Sequence, residues 1–167
     1  ISGNTTNEFG GGMYLNNSNP ILTNVTISGN TANSGGGMYV RYSDPTLTNS
    51  IIWGNSSESI YINSGTSIIT YSDIAGDTTW TGNGNINLDP LFTDPGNGYF
   101  GLQEGSPCID SGDPNIWYND LDGSPSDMGV SGGLNALPNF ISYDFGDVSA
   151  FGSDKQFNLY NYRETPI

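Results

Sequence analysis

The sequence predicts an all-β chain: a right-handed parallel β-helix of three-strand coils about 25 residues long, with an irregular C-terminal cap and a short β-sandwich-like segment at its end. Three observations predict it. A stretch of sequence repeats, apolar and polar residues alternate inside each repeat, and Gly, Asn, Ser and Pro interrupt the alternation too often for helices.

The repeat carries the most weight. Residues 1–26, ISGNTTNEFGGGMYLNNSNPILTNVT, recur at 27–51 as ISGNTANSGGGMYVRYSDPTLTNSI, and a degraded copy, IWGNSSESIYINSGTSIITYSDI, fills 52–74. A leucine-rich repeat has a similar period but needs several Leu per unit and usually a helical return; the three copies here have two, one and no Leu. Three short strands and three turns use up the repeat, and stacking such coils pairs their backbones as parallel sheets.

Alternation assigns the faces. Met13, Met38 and Ile60 are expected inward, as are Leu15, Val40 and Ile62, with Tyr14, Tyr39 and Tyr61 between them as an outward ladder of rings. Farther round the coil, Leu22, Leu47 and Ile69 face inward, joined by Ile27, Ile52 and Ile74. Asn24 and Asn49 recur at a bend, where Tyr71 breaks the pattern; a ladder of side-chain amides is expected there.

Charge narrows the partners. Seventeen acidic residues stand against three basic ones, with no histidine, for a net charge of −14. Such a chain repels phosphate backbones and anionic bilayers, so nucleic acid is excluded as a partner. No apolar run is long enough to span a bilayer, which argues against membrane insertion. Cys108 is the only cysteine, so no internal disulfide forms. No Lys or Arg occurs between Asp73 and Asp127. Asp113, Asp120, Asp122 and Asp127 are hard oxygen donors in that stretch, and Asp120-Leu121-Asp122-Gly123 has the acidic alternation and Gly turn of Ca²⁺ loops. Calcium is the candidate cofactor; the spacing and terminal Glu of an EF-hand are missing, and Asp in turns also caps its own backbone.

The repeat GGGMY…PxLTN…ISGN resembles right-handed parallel β-helices of the pectin-lyase-like superfold, in particular the GG-x-(I/M)-Y repeats of polymorphic outer-membrane proteins and related bacterial surface proteins. From Asp77 the repeat dissolves. Asp89-Pro90-Leu91-Phe92, Gly105-Ser106-Pro107, Ile109-Asp110, Gly112-Asp113-Pro114 and Asp127-Met128-Gly129 resemble the terminal segment of such proteins, with Cys108 where that pattern has Ala. This implies extra coils capping the open end, using Trp80, Phe92, Tyr99, Phe100, Leu102 and Ile109, and a small buried thiol at Cys108. Residues 130–137 read as a linker. Tyr143–Val148 and Lys155–Asn161 are similar to the opening of an immunoglobulin-like domain, giving about two of its seven strands. The expected organisation is therefore coils over 1–76, an acidic cap over 77–129, a linker, and a sandwich start or exchanged strands over 138–167. The chain opens inside a repeat, as a piece of a longer extracellular or cell-surface polypeptide would.

The functional expectation is a non-catalytic structural or adhesive module, with self-association or a surface glycan as partner. The alternative is a carbohydrate-binding or carbohydrate-active, lyase-like β-helix. A lyase needs a base near neutral pKa or an Arg or Lys, and Arg41 is the only basic residue of the coils. A hydrolase needs paired carboxylates, and no two of Glu8, Asp44, Glu58 and Asp73 fall in register in adjacent coils. Glycan binding would use Tyr14, Tyr39 and Tyr61 as a stacking platform.

Overall fold

The computed structural model describes residues 1–133. The sandwich start or exchanged strands expected at 138–167 lie outside these residues, as does the second half of the expected linker.

Nine short strands form three coils. The first coil holds β1 (Met13–Asn16), β2 (Ile21–Thr23) and β3 (Thr26–Ser28); the second holds β4 (Met38–Arg41), β5 (Thr46–Thr48) and β6 (Ile51–Trp53); the third holds β7 (Ile60–Ile62), β8 (Ile68–Thr70) and β9 (Asp73–Ile74). They pair as three parallel sheets, β1-β4-β7, β2-β5-β8 and β3-β6-β9. The register is the one the repeat dictates: Tyr14↔Tyr39↔Tyr61, Leu22↔Leu47↔Ile69 and Ile27↔Ile52↔Ile74. The chain is thus a parallel β-helix.

The core lies inside the coils. Leu15, Ile27, Met38, Val40, Leu47, Ile52, Ile60, Ile69 and Ile74 are buried in one cluster, with Met13, Leu22 and Ile62 packed half-buried against it. The expected inward set is therefore the inward set. A side chain such as Ile52, buried on every side, contributes about 2 kcal/mol by leaving water.

The turns use polar side chains as splints between coils. The expected amide ladder exists, but at a different asparagine. Asn4 donates through Nδ2 to Asn30 Oδ1 (2.9 Å), and Asn30 does the same to Asn55 Oδ1 (3.0 Å). The backbone N–H groups of Asn4 and Asn30 are capped by the next asparagine's oxygen as well. Asn30 also donates to the carbonyls of Ile1 and Ser28. Asn24 and Asn49 instead sit in the left-handed region, at φ 53° and 51°, and Tyr71 is held there too at 47°. What recurs at that bend is a backbone conformation that asparagine adopts at low cost. Their amides are left to bind something outside the coil.

That partner is the acidic segment, whose path departs from the expected end cap. Trp80 does pack on the end of the core, and Ile86 pairs in parallel with Asp73 to begin a fourth, abbreviated coil. From Leu88 onward the chain runs back along the outside of the β3-β6-β9 sheet. It carries one antiparallel hairpin, β10 (Phe92–Asp94) with β11 (Tyr99–Leu102). Leu88 N–H donates to Asp73 Oδ1 in the third coil. Asp113 N–H donates to Asn49 Oδ1 and Gly129 N–H to the Asn49 carbonyl in the second. In the first, Val130 N–H reaches Thr26 Oγ1, while Asn24 Nδ2 donates to Ser126 Oγ and the Asp127 carbonyl. Residues 88–133 are a strap along the coil stack.

Candidate functional site

Two surfaces and one interface hold the chemistry. The first surface is the aromatic ladder on the β1-β4-β7 sheet. Direct cross-strand register brings each tyrosine over the next: Tyr14 and Tyr39 centroids lie 5.5 Å apart and Tyr39 and Tyr61 5.2 Å apart, with interplanar angles of 25° and 24°. Phe9 adds a tilted ring 4.6 Å from Tyr39. The ladder points outward as expected, yet Tyr39 keeps only 6% of its surface, against 45% for Tyr14 and 37% for Tyr61. Neighbouring rings, rather than the core, cover it. A sugar ring stacks on an open aromatic face, and here the middle faces are taken up by one another. Arg41 lies over the Tyr42 ring at 5.2 Å. Its nearby acid, Asp44, is used by the next coil, accepting from Thr66 N–H and Oγ1.

The second surface carries the four aspartates expected to hold a metal. Asp113 caps Asn115 N–H two residues on, and Asp122 accepts from Ser124 N–H and Oγ. Asp120 accepts from the N–H groups of Asp127 and Gly133, and Asp127 accepts from Asp110 N–H. Asp120 and Asp127 are thus brought together, while Asp113 is engaged beside Asn49 and Asn115. No three His, Cys, Asp or Glu side chains are gathered to hold a metal ion among the described residues. Burial pushes the Asp127 carboxyl up to about 6, with Asp120 adding to the rise, and burial raises Asp120 as well. The Ser124 hydrogen bonds hold exposed Asp122 below the usual range.

The interface lies between strap and sheet. Thr26, Ile51 and Asp73 form the outward-facing column of β3-β6-β9, and the strap buries all three. Ile51 is enclosed by Phe92, Cys108 and Met128, with Trp53, Phe100 and Leu102 at the margins. Gly129, at φ 77°, lies so close that a Cβ there would come within 2.6 Å of Thr26 Oγ1 and 2.8 Å of Ile51 Cδ1. Asp73 has no exposed surface; Cys108 Sγ donates to its Oδ2 at 3.2 Å, and Leu88 N–H holds Oδ1. Desolvation pushes this carboxyl up to about 6, the two hydrogen bonds offsetting part of the rise. Burial, together with the adjacent Asp73 carboxylate, holds the Cys108 thiol far above its usual range, so it is an inert small side chain rather than a nucleophile. Asn49 Nδ2 is buried beneath the strap without a partner among the described residues.

Sequence reasoning missed the Asn4–Asn30–Asn55 ladder and the Asp73–Cys108 pair. The first had a signal, since ISGN, ISGN and IWGN repeat the asparagine at a fixed place. The second had none within the repeat, because the residue that buries Asp73 comes 35 positions later.

Fold and surfaces together define a parallel β-helix solenoid with a lateral strap. A scan against protein-family models, a search of curated proteins and a search of solved structures each returned no match to the chain.

Proposed function

We propose that this chain is a non-catalytic structural module: a stiff β-helical section of a secreted or cell-surface bacterial protein of the polymorphic outer-membrane-protein type. The observation that carries the reading is the in-register stacking of side chains through successive coils, with Asn4–Asn30–Asn55 in one turn, Tyr14–Tyr39–Tyr61 on one sheet and apolar columns within. Each ladder resists shear between coils, and the strap ties the first coil to the third. Adhesion or self-association through a face of the stack belongs to this reading. Glycan binding on the tyrosine ladder is the weaker alternative, because the rings spend their faces on one another.

Single-molecule pulling across the coil stack, combined with incubation against a panel of neutral and acidic polysaccharides, tests it. A mechanically resistant module without depolymerising activity is expected. Turnover of any polysaccharide that is lost on changing a carboxylate of the coils would overturn the non-catalytic reading.

A further inference from the structure

We propose that an open cleft at the far end of the coil stack binds a small organic cation, a protonated amine carried on a body about the size of one sugar ring. The cleft encloses about 430 Å³ between the turn after β6 and the segment after β9, within the size range of small-molecule sites. Its origin is a single change in the repeat. Ile74-Ala75-Gly76-Asp77 copies Ile52-Trp53-Gly54-Asn55, and Ala75 N–H donating to the Ile52 carbonyl keeps the register. Aspartate then stands where the amide ladder needs its fourth asparagine. A carboxylate could accept the rung from Asn55, but it cannot donate to the turn carbonyls as the amides of Asn30 and Asn55 do, and Asp77 makes no bond to Asn55. The ladder stops at Asn55, whose backbone N–H is not capped by any described side chain, and the chain leaves the coil toward Trp80.

The walls define the ligand. Glu58 and Asp77 line one cleft from successive coils, a pairing of one coil carboxylate compared from sequence with an aspartate outside that comparison. Glu58 spends one oxygen, Oε2, on Gly35 N–H at 3.0 Å, and that bond holds its carboxyl below the usual range, so it is charged at neutral pH. Asp77 accepts no hydrogen bond from a described residue. No Lys or Arg is found in the described lining of the cleft. Trp80 supplies a half-buried indole whose Nε1 faces Gly76, where an added Cβ would lie 3.9 Å away. Ser57, Thr78 and the Asn55 N–H add neutral hydrogen-bonding groups. Two carboxylates beside an indole favour a cation, through charge-assisted hydrogen bonds and attraction to the ring. They repel uronates and phosphates. A bare metal ion is disfavoured by the same count, since no three ligating side chains gather among the described residues. The cleft is independent of the structural role, which holds whether or not it is filled.

The test is a titration of the full 167-residue chain with glucosamine, glucose and glucuronate at constant ionic strength, followed by amide and indole NMR shifts. Saturable shifts at the Trp80 indole N–H and the Asn55 and Gly76 amides are expected with glucosamine, with affinity on the order of 1 mM. Asp77→Ser and Glu58→Gln should each weaken it about tenfold, the loss of one charge-assisted bond, with melting curves confirming that both variants fold. Asp77→Ser is the cleaner variant because Asp77 holds no other described part of the fold and serine does not supply the missing asparagine of the ladder. No saturable shift, equal affinity for glucose and glucosamine, or an Asp77→Ser protein that binds as well as the parent would each overturn the proposal.

Discussion

The coils and the strap are held together by opposite means. In the coils, each residue contacts its own counterpart one repeat away, so an error in one turn is shared by a whole column of like side chains. The strap has no period: its bonds join residues such as Asn24 and Asp127 or Thr26 and Val130, about a hundred positions apart in sequence. The coils bury apolar columns with few charges, whereas the strap buries a carboxylate and leaves an asparagine nitrogen without a partner among the described residues. Periodic stacking gives stability by repetition; the strap gives closure along one face, and it does so with groups that respond to solution conditions.

That difference is broken most strongly from inside the coils. Met38→Ala removes a fully buried side chain at the centre of the stack and should cost about 2–5 kcal/mol in denaturant unfolding. A loss below about 1 kcal/mol would mean that the middle coil is not the centre of the core. Asn30→Ala comes next. It removes both rungs of the amide ladder and strands buried backbone groups, for about 2–3 kcal/mol. Asn24→Ala, which touches only the strap, should cost about 1 kcal/mol. Equal losses at the two positions would erase the distinction between ladder and strap.

The pH response sharpens the comparison further. Asp73 has a folded pKa of about 6, above the ordinary carboxylate value. Its protonated form is therefore favoured by folding: stability is greatest below about pH 4 and falls as pH rises through 6. The loss is on the order of 3 kcal/mol at most. Asp127 shifts in the same direction, by a smaller energy because it is partly solvated. Unfolding measured from pH 4.5 to 8 should show the decline in the parent chain and a shallower slope in Asp73→Asn, which keeps an acceptor for Leu88 N–H. Superimposable profiles would place Asp73 in water.

The coils were legible in the sequence because the same side chains return at a fixed spacing, so Tyr14, Tyr39 and Tyr61 announced both register and face. The bend asparagines were legible only in part. Asn24 and Asn49 share a left-handed backbone with Tyr71, and sequence shows the recurring residue type but not whether its amide turns inward, along the stack or out to a strap. In the sequence Asp73 is a coil residue like any other. Alternation placed it outward, and outward ordinarily means wet; the cover arrives from Leu88 and Cys108, beyond the reach of a local pattern. The apolar residues of the acidic segment were recognised as cover for the helix, but the choice between its end and its side rests on contacts that carry no periodic signal.

Cys108, the only cysteine, reports on that choice directly. It is fully buried between Asp73 and Ile51, and Ile51 points outward from the second coil. A strap along the sheet makes Ile51 a core residue of the interface; a cap at the end of the helix would leave it in water. The decisive measurement is the rate at which a thiol reagent labels Cys108 in the native parent chain and in Ile51→Asn. The strap account predicts labelling in the parent at least about a hundredfold slower than in denaturant, and a clear acceleration in Ile51→Asn as the strap loosens while the coils remain folded. Equal labelling rates and equal stability in the two proteins would contradict it.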